Sequence, residues 1–183
     1  MDGVIAVAAV WGFAEATVFF IVPDVWLTIV AVTSPQRALP ASVAAVIGAV
    51  AGGVVMRRWG RRNPMAARHS ISAVPGIHPA MVERVEHDVR VHGLRAMVVG
   101  PLLGVPYKIY AVTVGPSRAR TAMFLLVSVV ARMPRLILLT AVAYGLSRWV
   151  FSSLSWMVRS AIVAGIWAAF YLWYFRAMSR QWQ

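Results

Sequence analysis

The chain has 183 residues, 60% of them hydrophobic, and a mean hydropathy of +0.71, which sets it apart from an ordinary soluble domain. Its formal charge of +12 comes from seventeen Arg and one Lys against six carboxylates. The Arg residues punctuate apolar runs instead of forming one basic stripe, which excludes nucleic acid as the expected partner and favours membrane topology and contact with anionic lipid. The absence of Cys excludes disulfides, thiolate metal sites and cysteine nucleophiles.

Met1-Asp2-Gly3 lacks a basic leader, so a cleaved signal peptide is not expected. Residues 4–32 are apolar but too long for one untilted span, and they hold Glu15 and the pair Pro23-Asp24. A charge at bilayer depth is costly, and Pro at that depth frees backbone groups that only protein or trapped water can satisfy, so an interrupted element is predicted. A turn follows at 33–37. Residues 39–56 read as a clean span whose Ala44, Gly48 and Gly52 recur every four residues, the spacing that permits close helix packing.

The run Arg57-Arg58-Trp59-Gly60-Arg61-Arg62, with Arg68 beyond it, is the strongest topological signal and predicts a cytoplasmic segment over 57–96. Within that segment 75–78 is a turn, and 79–92 is an amphipathic helix ending at Gly93. Val82, Val85 and Val89 form its apolar stripe, lying on the inner membrane surface or against the bundle. Residues 97–115 are a second interrupted apolar run, carrying Gly100, Pro101, Gly104, Pro106 and Lys108. Basic residues flank it on both sides (Arg90 and Arg95, then Arg118 and Arg120), so both of its ends prefer the same side, which predicts a re-entrant hairpin with the Gly-Pro sequences at its tip.

A long span over 122–146 is predicted to be interrupted at Arg132-Met133-Pro134-Arg135. Arg148 and Arg159 bracket an outer loop containing Phe151 and Trp156. Residues 161–175 then close the bundle, with Tyr171, Trp173 and Tyr174 as an interfacial belt and Arg176 and Arg180 as anchors. The expected fold is thus a single all-α polytopic membrane domain over 1–183. It comprises two oppositely oriented re-entrant hairpins and about three transmembrane helices in an inverted-repeat arrangement, segmented at 4–56, 57–96, 97–147 and 148–183.

Glu15 and Asp24 are nine residues apart and would point to opposite sides of a continuous helix; the break at Pro23 lets them converge. They read as carboxylates that take up protons or balance a cation, with simple helix capping as the alternative for Asp24. Lys108, Arg132 and Arg135 are the matching cations. Arg132 and Arg135 share one helix face and suit a phosphate headgroup in a desolvated pocket, or an internal salt bridge with Glu15 or Asp24. Glu15 is expected near the 132–135 face. Glu83 and His87 lie one helical turn apart but lack a third ligand, so neither a metal nor another cofactor is expected. No nucleophile elbow, phosphate-binding loop or zincin signature is present, so the chain is not expected to be an enzyme.

Three segments resemble the DedA family, also called the SNARE-associated or VTT-domain family, in its short YqaA-like branch. They are Glu15 through Pro23-Asp24, Gly48 through Gly52 with Gly60-Arg61 after it, and His92 through Ala111, with Arg132 and Arg135 similar to basic residues of the next helix. The resemblance covers roughly residues 10–147. It departs from the family pattern in Val99-Gly100 before Pro101 and in Gly53, where an Asp often stands. It implies a multi-pass inner (plasma) membrane protein acting in lipid translocation, with undecaprenyl phosphate or phospholipid headgroups as cargo, membrane lipids as partners and protons as the candidate coupling ion. Homo-oligomerisation is left open. The readings set against a flippase are a non-transporting membrane scaffold, whose buried ions only fix helix register, and a lipid-phosphate hydrolase.

Overall fold

A computed structural model describes residues 2–150 and 152–181, with side chains as far as Ala177. Phe151 of the expected outer loop and the side chain of Arg180 lie outside the described residues. All regular structure among the described residues is helical. Helix α1 (Gly3–Thr17) is capped by Asp2, whose carboxylate accepts from Val4 N–H. The chain then breaks over 18–23, and α2 (Asp24–Thr33) starts directly after Pro23. Ser34 leaves helical geometry, and Pro35 opens α3 (Pro35–Arg62) in the first-turn position that tolerates a missing N–H.

Helix α3 is the spine. Over 28 residues it is about 42 Å long, more than the roughly 30 Å of a bilayer's hydrocarbon core. Helix α1 lies parallel to its first half. A Cβ on Gly48 would fall on the backbone of Ala9, one on Gly12 on the backbone of Ala45, and one on Gly52 on Phe13, Ala16 and Thr17. The Asp2–Arg37 ion pair, 2.9 Å, ties the two helix starts together. The small-residue spacing of Gly48 and Gly52 thus marks a real interface, to which α1 contributes a glycine of its own, Gly12 against Ala45.

Beyond α3, Asn63 caps the short α4 (Pro64–Ser72), its side chain accepting from Ala66 N–H. Helix α5 (Pro79–His92) starts with Pro at its first position and stops at Gly93, which takes a positive φ of 58°. Met81, Val82 and Val85 are buried against the helices that follow, which places this amphipathic helix against the bundle. A 3₁₀ turn (Gly93–Arg95) leads into α6 (Ala96–Leu102), and Gly104, at φ 84°, turns the chain into α7 (Tyr107–Thr113). Helix α7 lies parallel to the second half of α3, where Gly53 faces Tyr107 and Gly60 faces the Val112 backbone. Helices α1, α2, α6 and α7 are each too short to cross a bilayer, at 15, 10, 7 and 7 residues.

Helix α8 (Thr121–Trp149) runs antiparallel to α3, joined by a Ser42–Thr140 hydroxyl pair at 3.1 Å near one end and by Arg57 to Thr121 Oγ1, also at 3.1 Å, near the other. Helix α9 (Trp156–Gln181) follows and packs on α2. Among the described residues three helices, α3, α8 and α9, are long and apolar enough to cross a membrane.

Two expectations are corrected here. The basic run at 57–62 does not form a segment separate from the span; it continues α3. Arg57 is buried, donating to Thr121 and the Ala119 carbonyl with its guanidinium 5.0 Å from the Phe124 ring centroid, because these acceptors and the ring face replace water. The second correction concerns 122–146, where the predicted interruption is absent. Helix α8 passes through Pro134 unbroken, since one lost N–H costs a single bond while 29 residues keep the rest.

The α1–α3 contact yields a direct test. Gly48→Val places atoms inside the Ala9 backbone and is expected to lower the thermal midpoint in detergent by the equivalent of about 3 kcal/mol or more, above the usual overpacking range because backbone must move. Gly165→Ala, at a helical position with open space around it, is expected to leave the midpoint unchanged or raise it.

Candidate functional site

The site begins at a glycine. Gly53 leaves room on α3 for the ring of Tyr107, whose hydroxyl donates to Ser128 Oγ at 2.6 Å while Ser128 donates to the Phe124 carbonyl at 2.7 Å. The Arg132 guanidinium lies over the Tyr107 ring at 4.2 Å. Its Nη2 reaches Glu15 Oε2 at 2.7 Å, and both side chains are about nine-tenths buried, at 10% and 9% exposure. The contact is a charge contact, not an aligned hydrogen bond, and Arg132 Nε has no hydrogen-bond partner.

One turn further along α8, Arg135 Nη2 donates to Asp24 Oδ2 at 2.8 Å. Asp24 is buried in the first turn of α2, where the helix dipole also favours a negative charge. Its other oxygen, Oδ1, is buried without a hydrogen-bond partner. Lys108, buried at the start of α7, donates through Nζ to the Phe19 carbonyl in the α1–α2 break. A backbone carbonyl freed by the break between α1 and α2 therefore becomes an acceptor for the cation that follows Pro106. Along α8 the two Arg lie between Phe124 of one apolar cluster and Leu136 of the other, so the charges sit where the two clusters adjoin.

These groups line a single cavity of about 540 Å³. All five predicted charged residues, Glu15, Asp24, Lys108, Arg132 and Arg135, contribute to it, and so do Pro23, Pro101, Gly104 and Pro106. Gly100 stands behind the wall, making room for the Tyr110 hydroxyl, and Gly48 and Gly52 belong to the α1–α3 contact. Among the described residues no cluster of three His, Cys, Asp or Glu side chains is placed to hold a metal.

The proximity of Glu15 to the 132–135 face resolves into a defined pairing, Glu15 with Arg132 and Asp24 with Arg135. Asp24 is an ion-pair partner and not a cap: Pro23 holds the N-cap position of α2, and no side chain caps that helix. The interfacial-belt reading fails for two of its three members. Tyr171 and Tyr174 line the cavity, while Trp173 is exposed. Tyr171 accepts from Val22 N–H at 2.8 Å, which leaves its own hydroxyl proton free to donate. The broken backbone supplies a polar group that draws the Tyr inward. Tyr107 is the residue missed altogether; its signal was the pairing of a large aromatic beside Lys108 with an extra small residue, Gly53, on the spine.

Removing one member of a buried pair leaves a lone charge, which typically costs on the order of 3–5 kcal/mol. Thermal unfolding in detergent is therefore expected to show strong non-additivity for Glu15→Gln with Arg132→Ala and for Asp24→Asn with Arg135→Ala. The crossed combination Glu15→Gln with Arg135→Ala is expected to be closer to additive; equal coupling in all combinations contradicts the pairing. Comparison of the chain with protein-family models, curated proteins and solved structures found no match.

Proposed function

We propose that the chain is a multi-pass membrane protein of the DedA type, resident in the inner (plasma) membrane, that binds and translocates a lipid carrying an anionic phosphate headgroup. One observation carries this reading. The cavity gathers three cations, Lys108, Arg132 and Arg135, against two carboxylates, Glu15 and Asp24, so it holds one positive charge in excess amid apolar walls. An uncompensated cation in a desolvated site favours an anionic ligand, and Arg suits phosphate through paired N–H donors. The unpartnered Nε of Arg132 and the unspent hydroxyl proton of Tyr171 supply further donors.

The architecture proposed with it is a pair of re-entrant hairpins meeting at mid-depth. In this reading α1 and α2 enter beside the start of α3, α6 and α7 enter beside its end, and the two form an inverted repeat. The parallel courses of α1 and α7 along opposite halves of α3, and the Lys108–Phe19 bond between the two breaks, support it. Glu15 and Asp24 then serve as the groups that release their Arg when protonated, coupling headgroup binding to a proton.

One-to-one pairing of the carboxylates with Arg132 and Arg135 also suits a scaffold in which the ions only fix register. A flipping assay with a fluorescent anionic phospholipid in liposomes separates the two. Lys108→Met and Arg132→Gln are each expected to slow flipping roughly tenfold or more, equivalent to about 1.4 kcal/mol of lost stabilisation, while Gly165→Ala flips normally. Unchanged flipping in folded Lys108→Met and Arg132→Gln proteins removes the site, and an absence of flipping by the unaltered protein favours the scaffold.

A further inference from the structure

Helix α9 is the least integrated element of the bundle. None of its residues from Trp156 to Ala177 is buried. It packs on α2, where Trp167 Nε1 donates to Thr28 Oγ1 at 2.9 Å and Tyr171 accepts from Val22 N–H at 2.8 Å. Arg159 pins the start of the helix to the connecting loop through the Leu154 and Ser152 carbonyls and to the end of α8 through Ser147 Oγ. Beyond the Arg159–Ser147 bond near their joined ends, α8 and α9 make no extensive contact with each other among the described residues. Both line the cavity, α8 through Leu136 and Leu139 and α9 through Ile166, Phe170 and Tyr174.

The contents of the cavity are as uneven as its walls. A phosphate group occupies the space of only a few waters, at about 30 Å³ each, and so fills a minor part of the 540 Å³. The remaining volume borders aliphatic and aromatic side chains, for which hydrocarbon is a better neighbour than water. Both helices that frame the gap are long and apolar enough to cross a membrane, so bilayer hydrocarbon is what adjoins it. The lining thus combines charged and apolar side chains, the two chemistries of an amphiphile.

We propose that the gap between α8 and α9 is a lateral portal that seats the hydrocarbon chain of an anionic amphiphile while Lys108, Arg132 and Arg135 hold its head. This rests on the headgroup reading of the preceding subsection and extends it. The ligand reaches the site sideways from within a leaflet, and α9, which meets α2 and the α1–α2 break through Trp167, Tyr171 and the Phe20 ring contacts, is the wall that yields.

Photolabelling tests the portal on the full chain reconstituted in phosphatidylcholine vesicles. Two probes are used, a phosphatidic acid and a phosphatidylcholine, each with a diazirine midway along one acyl chain, and adducts are mapped by mass spectrometry. Phosphatidic acid is expected to label Leu139 and Phe170 several-fold more than Leu138 and Leu172, which are exposed on the same two helices. Phosphatidylcholine is expected to show no such preference. Ile166→Trp, a change at an exposed position that narrows the gap, is expected to abolish the enrichment at Leu139 without altering labelling at Leu138. Uniform labelling by phosphatidic acid, or enrichment that survives Ile166→Trp, overturns the portal while leaving the headgroup site to be judged by flipping in the Lys108→Met protein. Equal enrichment by both probes overturns an anionic amphiphile as the occupant and with it the headgroup reading.

Discussion

Glu15 and Asp24 are buried carboxylates on two short helices, and neither stays charged in an apolar surrounding unless a cation is brought to it from elsewhere in the chain. That requirement organises the centre of the bundle. The cations come from α8, more than a hundred residues downstream, and they must arrive on one face, one turn apart, so that Arg132 meets Glu15 and Arg135 meets Asp24. A break in α8 at Pro134 would swing the two Arg apart. The helix instead continues, and the freed backbone group is the smaller cost. The break between α1 and α2 is retained because it serves the same pairing, placing Asp24 at a helix start and exposing the Phe19 carbonyl to Lys108.

The arrangement is possible because α3 is narrow on two faces. Gly48 and Gly52 let α1 approach along its first half, while Gly53 and Gly60 let α7 approach along its second. Without a hydrophobic driving force between helices in lipid, close backbone packing of this kind supplies much of the association energy. The spine therefore also sets the chemistry. Tyr107 fits over Gly53, and the ring then supports Arg132 at the height of Glu15. A substitution at Gly53 would act on the site through that aromatic, without touching a charge.

Charge compensation in the cavity is incomplete, and α9, none of whose described side chains is buried, contributes to its lining. These two facts belong together. Under the proposed function, the excess positive charge meets an anionic head and the apolar remainder of the cavity meets hydrocarbon, the two ends of one molecule. Helix α9 closes the cavity with aromatic edges, Phe20 against Tyr171 and Phe175 among them, contacts that are favourable yet easily remade in another geometry.

Several of these features were legible in the chain before it folded. Broken apolar runs, Pro23-Asp24, Gly104 and Pro106 declared where helices stop, because proline lacks an N–H and glycine can take a positive φ without steric cost. Gly48 and Gly52 declared a packing face, and the five charged residues declared a site, since charges in apolar runs need partners. Sequence spacing also set Arg132 and Arg135 on one face of one helix. Only the tertiary structure decided which carboxylate each Arg meets, because pairing across more than a hundred residues depends on the register of α8 against α1 and α2 and not on any local period. The same holds for Arg57, which joined the interior once Ala119, Thr121 and Phe124 were brought to it, and for Tyr171, whose partner is a backbone N–H that becomes available only where α1 gives way to α2. Local chemistry announces that a group needs a partner, and the fold alone determines which partner lies within reach.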